Sequence, residues 1–245
     1  MRQVPEQLTY TLVGNGRMSQ HFAYYLHLLN IPYTVLSRTD ITAQTISTAL
    51  KHTTKLCLLI SDDQILDFVR KFKLLNPEKL VHFSGALVLD EAPSAHPLMT
   101  FNDPKLGFYC PETYRQIPFI IESNGPAFEQ LLPGIPNKAI AIPPEQKPYY
   151  HSLCVLGGNF STLLWQKYFK TLLSVFNIST QDAMPYMNQI FINLQNHPET
   201  ALTGPLARKD FKTIRRNIQA LEQAGDHYAN IYQVISELYF QEHTR

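Results

Sequence analysis

The sequence predicts an α/β half followed by an all-helical half. Two observations carry this expectation. From Leu8 to residue 123, short β-branched or aromatic runs alternate with segments of helical period, as in a mainly parallel sheet. Beyond a proline-rich stretch around Pro143 only helical periodicity remains, so the division is placed at 146, giving halves 1–146 and 147–245.

The first half opens with "LTYTLV" (Leu8–Val13), a strand by composition. Gly14-Asn15-Gly16 follows at once. The next run places Met18, Phe22, Tyr25, Leu26 and Leu29 at helical spacing, until Asn30 and Pro32 stop it. "YTVLSR" (Tyr33–Arg38) is a second strand. Strand, glycine turn, helix and strand within about 30 residues form the βαβ unit that gives a dinucleotide fingerprint its meaning, which predicts a Rossmann domain. "TAQTISTALK" and "DDQILDFVRKF" read as helices; the second has acids first and bases last, matching the helix dipole. "KLCLLIS" is a continuous apolar run, as in a strand covered on both faces. "KLVHFSG" (Lys79–Gly85), "KLGFYC" and "IPFIIES" read as further strands. "AIAIPPEQKP", with Pro143, Pro144 and Pro148, reads as a linker. Four helical patterns follow: 148–176 with Gly157-Gly158 in its middle, "QDAMPYMNQIFINLQ", "FKTIRRNIQALEQA" and "HYANIYQVISELYFQE".

Composition narrows the function classes. The chain is 44% hydrophobic and 17% charged, with a formal net charge of +1. Its densest basic stretch, Arg208-Lys209 with Lys212, Arg215 and Arg216, has the spacing of a solvated helix face, which argues against a nucleic-acid binder. No apolar run approaches the ~20 residues that span a bilayer, and "MRQVPEQLTY" lacks the apolar core of a secretory signal. Cys57, Cys110 and Cys154 are odd in number and form no CxxC pair, which points to a reducing cytoplasmic setting; their apolar neighbours predict buried thiols. The histidines show no HExxH spacing, so no metal site is expected.

A glycine turn before a helix offers backbone N–H groups and the positive end of the helix dipole to a diphosphate. Gly14 permits the turn, Gly16 permits close approach, and Asn15, Arg17 and Met18 complete the candidate cradle. The fingerprint's third glycine position holds Ser19, a departure. The second strand ends in Ser37-Arg38, and a hydroxyl with a cation suits the 2′-phosphate of NADP; Asp40 nearby keeps NAD open. Ser61 and Asp62 end the third strand, and Ser84 and Gly85 end the fourth, where a nicotinamide ring is expected. A nicotinamide-dependent reductase and a non-catalytic nucleotide-binding sensor or scaffold both fit these features.

The segments "LLISDDQI" (58–65), "VHFSGAL" (81–87), "AHPLMTF" (95–101), "YYHSLCVLGGNF" (149–160) and "LTGPLARKD" (202–210) together resemble the Rossmann-like proteins with a DUF2520 helical domain, within the 6-phosphogluconate dehydrogenase-like superfamily. The resemblance implies a helical half of the 6-phosphogluconate dehydrogenase C-terminal kind and a homodimer. It also implies NADPH-dependent reduction of a small 2-keto acid held between the two halves. The leading expectation is 2-dehydropantoate (ketopantoate), on the pantothenate route. Pyrroline-5-carboxylate or another small keto acid or imine is the alternative. The better-known ketopantoate reductases carry a lysine shortly before an asparagine on the first helix of the helical half. Here the asparagine is Asn159, and position 155 holds a valine.

Reducing a ketone requires a proton for the forming alkoxide, and histidine supplies one near neutral pH. The candidates are His82, His96 and His151. His82 lies inside the strand-four run and is expected to face the core. His96 is stiffened by Pro97, and His151 starts the helix at the junction, eight residues before Asn159 and on the same helical face. His96, His151 and Asn159 are the catalytic candidates; a water or ribose hydroxyl is the alternative proton relay. The paired glycines before Asn159 cost a helix about 1 kcal/mol each, which predicts close approach of a backbone or ligand there. Arg208 is a candidate to clamp a substrate carboxylate, Thr203 and Ser84 are further substrate-binding candidates, and Asp210 is expected to cap the following helix.

Overall fold

The glycine turn lies between a strand and a helix, as its neighbours require. The computed structural model describes residues 8–73 and 77–243, so the reading of the first seven residues as free of a signal segment falls outside it. The chain divides into two compact units, Met1–Leu164 and Trp165–Arg245.

In the first unit, β1 (Tyr10–Val13), α1 (Arg17–Leu28), β2 (Tyr33–Leu36), α2 (Ala43–His52), β3 (Lys55–Leu58), α3 (Asp62–Lys71) and β4 (Leu80–His82) alternate. The strands form a wholly parallel sheet in the order β2-β1-β3-β4. Alternate residues serve opposite faces. Leu12, Cys57 and Val81 pack with Phe22 and Leu26 of α1, while Val13, Leu56, Leu58 and Leu80 pack with Ile46 of α2 and Ile65 and Val69 of α3. Helices therefore cover both faces, which explains why β3 is apolar without interruption.

A second, three-stranded sheet extends this layer. β5 (Ala95–Pro97) runs antiparallel to β6 (Phe119–Glu122), and β6 runs parallel to β7 (Ala139–Ile142). A parallel bridge between His82 and Ser94 links the two sheets. α4 (Pro111–Gln116) and α5 (Phe128–Leu131) connect these strands.

Two sequence expectations fail here. "KLGFYC" is no strand: Pro104–Leu106 forms a 3₁₀ turn, and Gly107 leaves it at φ +97°. The loop is pinned instead by Tyr109, whose hydroxyl donates to the Thr100 carbonyl (2.8 Å) and accepts the Asn102 N–H (2.8 Å). "AIAIPPEQKP" is more than a linker, because its first four residues are β7; Pro143 follows immediately, where the ladder no longer needs a donor. The thiol expectation holds for Cys57 alone. Cys110 is exposed at the start of α4, and Cys154 is half-buried.

A continuous helical run follows: α6 (Lys147–Cys154), a π-helical turn (Val155–Phe160) and α7 (Ser161–Phe176). The division between units falls inside α7 rather than at 146. The fully buried Lys147 at the start of α6 bonds to the sheet-bearing half, and this holds α6 in the first unit.

The second unit, as described, is helical: the rest of α7, α8 (Thr180–Asn196), α9 (Gly204–Ala207), α10 (Phe211–Gln223) and α11 (Tyr228–His243). Ser179 and Asp182 form a capping box on α8. Asp210 caps α10 by accepting the Thr213 N–H (3.0 Å), as expected. Lys212, Arg215 and Arg216 lie on the solvated face of α10. Large apolar side chains stay widely exposed, among them Leu173, Val175, Phe176, Phe191, Val234 and Leu238. Among the described residues, no helix is long and apolar enough to cross a membrane.

Candidate functional site: a nucleotide crevice and a histidine pair

The strand order reverses at β1, with β2 on one side and β3 on the other, so the chain leaves the carboxyl ends of β1 and β3 in opposite directions. Open α/β sheets bind ligands at such a point. A crevice of about 610 Å³ lies there, lined by Gly14, Asn15, Gly16, Arg38 and Ser61. Gly14 adopts φ +113°, and a Cβ at that position would strike the Leu59 carbonyl oxygen, so only glycine fits. Gly16 is the N-cap of α1 and faces open space, with no side chain capping the helix. The first-turn N–H groups are therefore left to a ligand or solvent. Ser19, in the third glycine's place, is buried and donates to the Gly14 carbonyl at 2.7 Å, so the departure from the fingerprint braces the turn.

At the end of β2 the two candidate selectors separate. Arg38 lines the crevice. Asp40 closes a local turn, accepting the Ser37 N–H at 2.9 Å and the Ser37 hydroxyl. Those bonds hold its carboxyl below the usual range. The Ser37 hydroxyl is thus engaged by Asp40. Arg17 is exposed at the first position of α1, while Met18 packs against the apolar cluster beneath the sheet. Asp62 and Ser84, expected on the cofactor, bond to each other at 2.5 Å. Ser84 Oγ also accepts the N–H groups of Ala86 (3.2 Å) and Leu87 (2.9 Å), and so folds the turn after β4.

That turn brings the histidines together. Gly85 sits beneath two imidazoles: a Cβ there would strike His151 Nδ1 and lie 3.0 Å from His96 Nε2. The two rings stand edge to face, with centroids 5.7 Å apart. His96 Nδ1 lies 3.0 Å from the Tyr150 hydroxyl. His151 Nδ1 is buried without a hydrogen-bond partner. His82 is fully buried, as expected of a core histidine, and its Nδ1 accepts the Ser84 N–H at 3.2 Å. Burial lowers the His96 pKa to about 4, aided by the charges of His151 and Lys147. Burial, with Lys147, lowers His82 to about 4 as well.

Behind the pair lies a group that sequence reasoning missed. Lys147 and Glu122 form an ion pair at 2.6 Å, their side chains 0% and 8% exposed. Lys147 also bonds the Leu87 carbonyl at 2.7 Å and the Ser94 hydroxyl. Glu122 accepts the Ser94 hydroxyl at 2.6 Å and the Ser94 N–H at 3.2 Å. Burial works to raise the Glu122 pKa, but the bonds from Lys147 and Ser94 outweigh it and hold the carboxyl below its ordinary value. Lys147, Glu122 and Tyr150 gave no motif in the sequence, because their partners lie 25 to 60 residues away.

The remaining candidates are Asn159, Thr203 and Arg208. Asn159 is exposed in the π-helical turn, where i→i+5 bonding replaces the α-helical spacing that put it on the His151 face. A Cβ on Gly157 or Gly158 would meet nothing within 4 Å, so the expected close approach is absent. Their carbonyls instead accept the hydroxyls of Ser161 and Thr162. Thr203 and Arg208 flank α9 in the second unit and are exposed.

Residues 117–238 match the family described as "Domain of unknown function (DUF2520)". The matched region supplies Glu122, Lys147, Tyr150 and His151, while Gly85 and His96 precede it. No curated protein matches the chain. Among solved structures, a Bacteroides fragilis protein described provisionally as an NADP oxidoreductase superposes with a TM-score of 0.74 at 19% identity, over 96% of this chain and 99% of its own. The imine reductase of Myxococcus stipitatus, in complex with NADP⁺, gives 0.64 at 12% identity, over 95% and 93%. The Plasmodium falciparum pyrroline carboxylate reductase, with NADP bound, gives 0.55 at 12% identity, over 95% and 98%. These likenesses establish the fold, a Rossmann-type sheet unit followed by a helical unit, and the DUF2520 match spans parts of both.

Proposed function

We propose that the protein is an NADP-dependent oxidoreductase that reduces a C=O or C=N bond of a small carboxylic acid. One observation carries the reading. The crevice at the sheet's switch point joins an uncapped helix N-terminus to Arg38, while Asp40, the acid that would select NAD, is engaged in its own turn. Gly14, Asn15 and Gly16 would hold the diphosphate, and Arg38 the 2′-phosphate. Bound NADPH supplies a hydride. His96 and His151, grouped above Gly85, are the groups suited to hydrogen-bond or protonate the reacting atom. Arg208 and Thr203 are proposed to bind the carboxylate, and Asn159 to bond the carbonyl.

The sequence resemblance favours 2-dehydropantoate as substrate and thus a ketopantoate reductase. The imine and pyrroline carboxylate reductases among the structural relatives favour a second reading, a cyclic imine such as pyrroline-5-carboxylate. A homodimer accords with the apolar surface of the second unit. A cytoplasmic location accords with three free cysteines.

The test follows NADPH absorbance with each substrate and compares NADPH with NADH in wild type and Arg38→Ala. Charge-assisted hydrogen bonds contribute about 1.5–3 kcal/mol, so the variant's preference for NADPH is expected to fall about 10- to 100-fold. An unchanged preference refutes the assignment of Arg38. Tight NADPH binding without turnover of any substrate would favour the sensor reading.

A further inference from the structure

Resting on that reading and deepening it, we infer that Tyr150 fixes His96 as a neutral imidazole with its proton on Nε2, so that His96 hydrogen-bonds the reacting oxygen or nitrogen of the substrate from above Gly85. His96 sits in β5, paired with Ile120, so its backbone is held by the sheet. Its Nδ1 faces the Tyr150 hydroxyl at 3.0 Å. Burial, with a side-chain hydrogen bond to Cys154, pushes the Tyr150 pKa well above its ordinary value, so the phenol keeps its proton. A neutral imidazole has a single N–H; where Nδ1 accepts, Nε2 carries the proton.

Nε2 is the nitrogen on the Gly85 side of the ring, 3.0 Å from where a Cβ would stand. The charged and titratable groups around His96 are Lys147, Tyr150 and His151 on α6, with Glu122 on β6 behind Lys147. Burial, aided by the neighbouring His151 and Lys147, opposes a second proton on the ring. His96 therefore polarises the substrate bond as a neutral donor and does not act as an imidazolium acid. Tyr150 is a positioning residue that acts through His96.

The experiment is two-bond ¹H–¹⁵N correlation on ring-labelled histidine, with the His96 signal assigned through His96→Gln. Wild type is expected to show only the Nε2–H form of His96 between about pH 6 and 8. Tyr150→Phe should give a mixture of tautomers, with the His82 signals unmoved. A wild-type Nδ1–H form, an imidazolium at neutral pH, or a variant with an unchanged tautomer would overturn the inference. If Tyr150→Phe does not fold, the wild-type tautomer decides alone. The measurement uses neither cofactor nor substrate, so it stays readable if the reductase reading itself fails.

Discussion

Replacing Lys147 with methionine is expected to cost the first unit about 3–5 kcal/mol, the usual loss when one member of a buried ion pair is removed. The Lys147 side chain is 0% exposed, so no water replaces its bonds to Glu122 (2.6 Å), the Leu87 carbonyl (2.7 Å) and the Ser94 hydroxyl. Glu122 would keep its two bonds from Ser94 but lose its counter-charge. For a unit of this size, each kcal/mol shifts Tm by about 2–4 °C, so a fall of roughly 6–20 °C follows. Urea unfolding should show a lower midpoint at an unchanged slope. The double variant Lys147→Met/Glu122→Leu removes both charges and should recover most of the loss, because an apolar pair of similar volume is often neutral or better. The sign with pH is also set. The wild-type Glu122 pKa is depressed, so its contribution is present above the unfolded value and lost as pH falls through the folded one. In Lys147→Met the lone carboxyl titrates higher, so the penalty should narrow in acid. A single variant that loses under about 1 kcal/mol, or a double variant as unstable as the single, would refute the reasoning.

Gly14→Ala should lose about 1–3 kcal/mol to backbone strain alone, with NADPH binding lost as well, because φ is +113° and the new methyl meets the Leu59 carbonyl. Gly16→Ala, which faces open space, should keep its Tm and weaken NADPH binding only; paired thermal and binding titrations separate the two. His82 and His96 both have folded pKa values lowered from 6.5 to about 4, so the unfolded chain binds more protons across that window and stability falls as pH drops through it. Each histidine should remove about 2 kcal/mol between pH 7 and 5, an order of magnitude checked by urea titration, and His96→Gln should flatten the slope. Sedimentation velocity should find a dimer, and Leu238→Glu on the exposed face of α11 should shift it toward monomer; a monomeric wild type would remove the homodimer proposal.

The local structure was largely legible in the sequence. The alternation from β1 to β4 is written in apolar runs of period two and 3.6, and Gly14 marks its turn because only glycine tolerates that φ. The capping of α10 by Asp210 depends on residues three apart and was readable for the same reason. β7 was hidden, since four residues before a proline pair gain their order only by pairing with β6. The "KLGFYC" run looked like a strand because apolar pattern alone does not reveal Gly107 at positive φ.

Gly14, Asn15, Gly16, Arg38 and Ser61, read from the sequence as cofactor candidates, line one crevice, while the side chains of Ser37, Asp62 and Ser84 bond to neighbours. The histidine pair above Gly85 and the ion pair behind it belong to tertiary structure alone. His96 and Tyr150 lie 54 residues apart, and Lys147 and Glu122 lie 25 apart. Hydrophobic period and turn chemistry act between near neighbours, so they determine which elements form and where the chain can bend. Which buried charge meets which, and which ring nitrogen meets which hydroxyl, depends on how those elements pack.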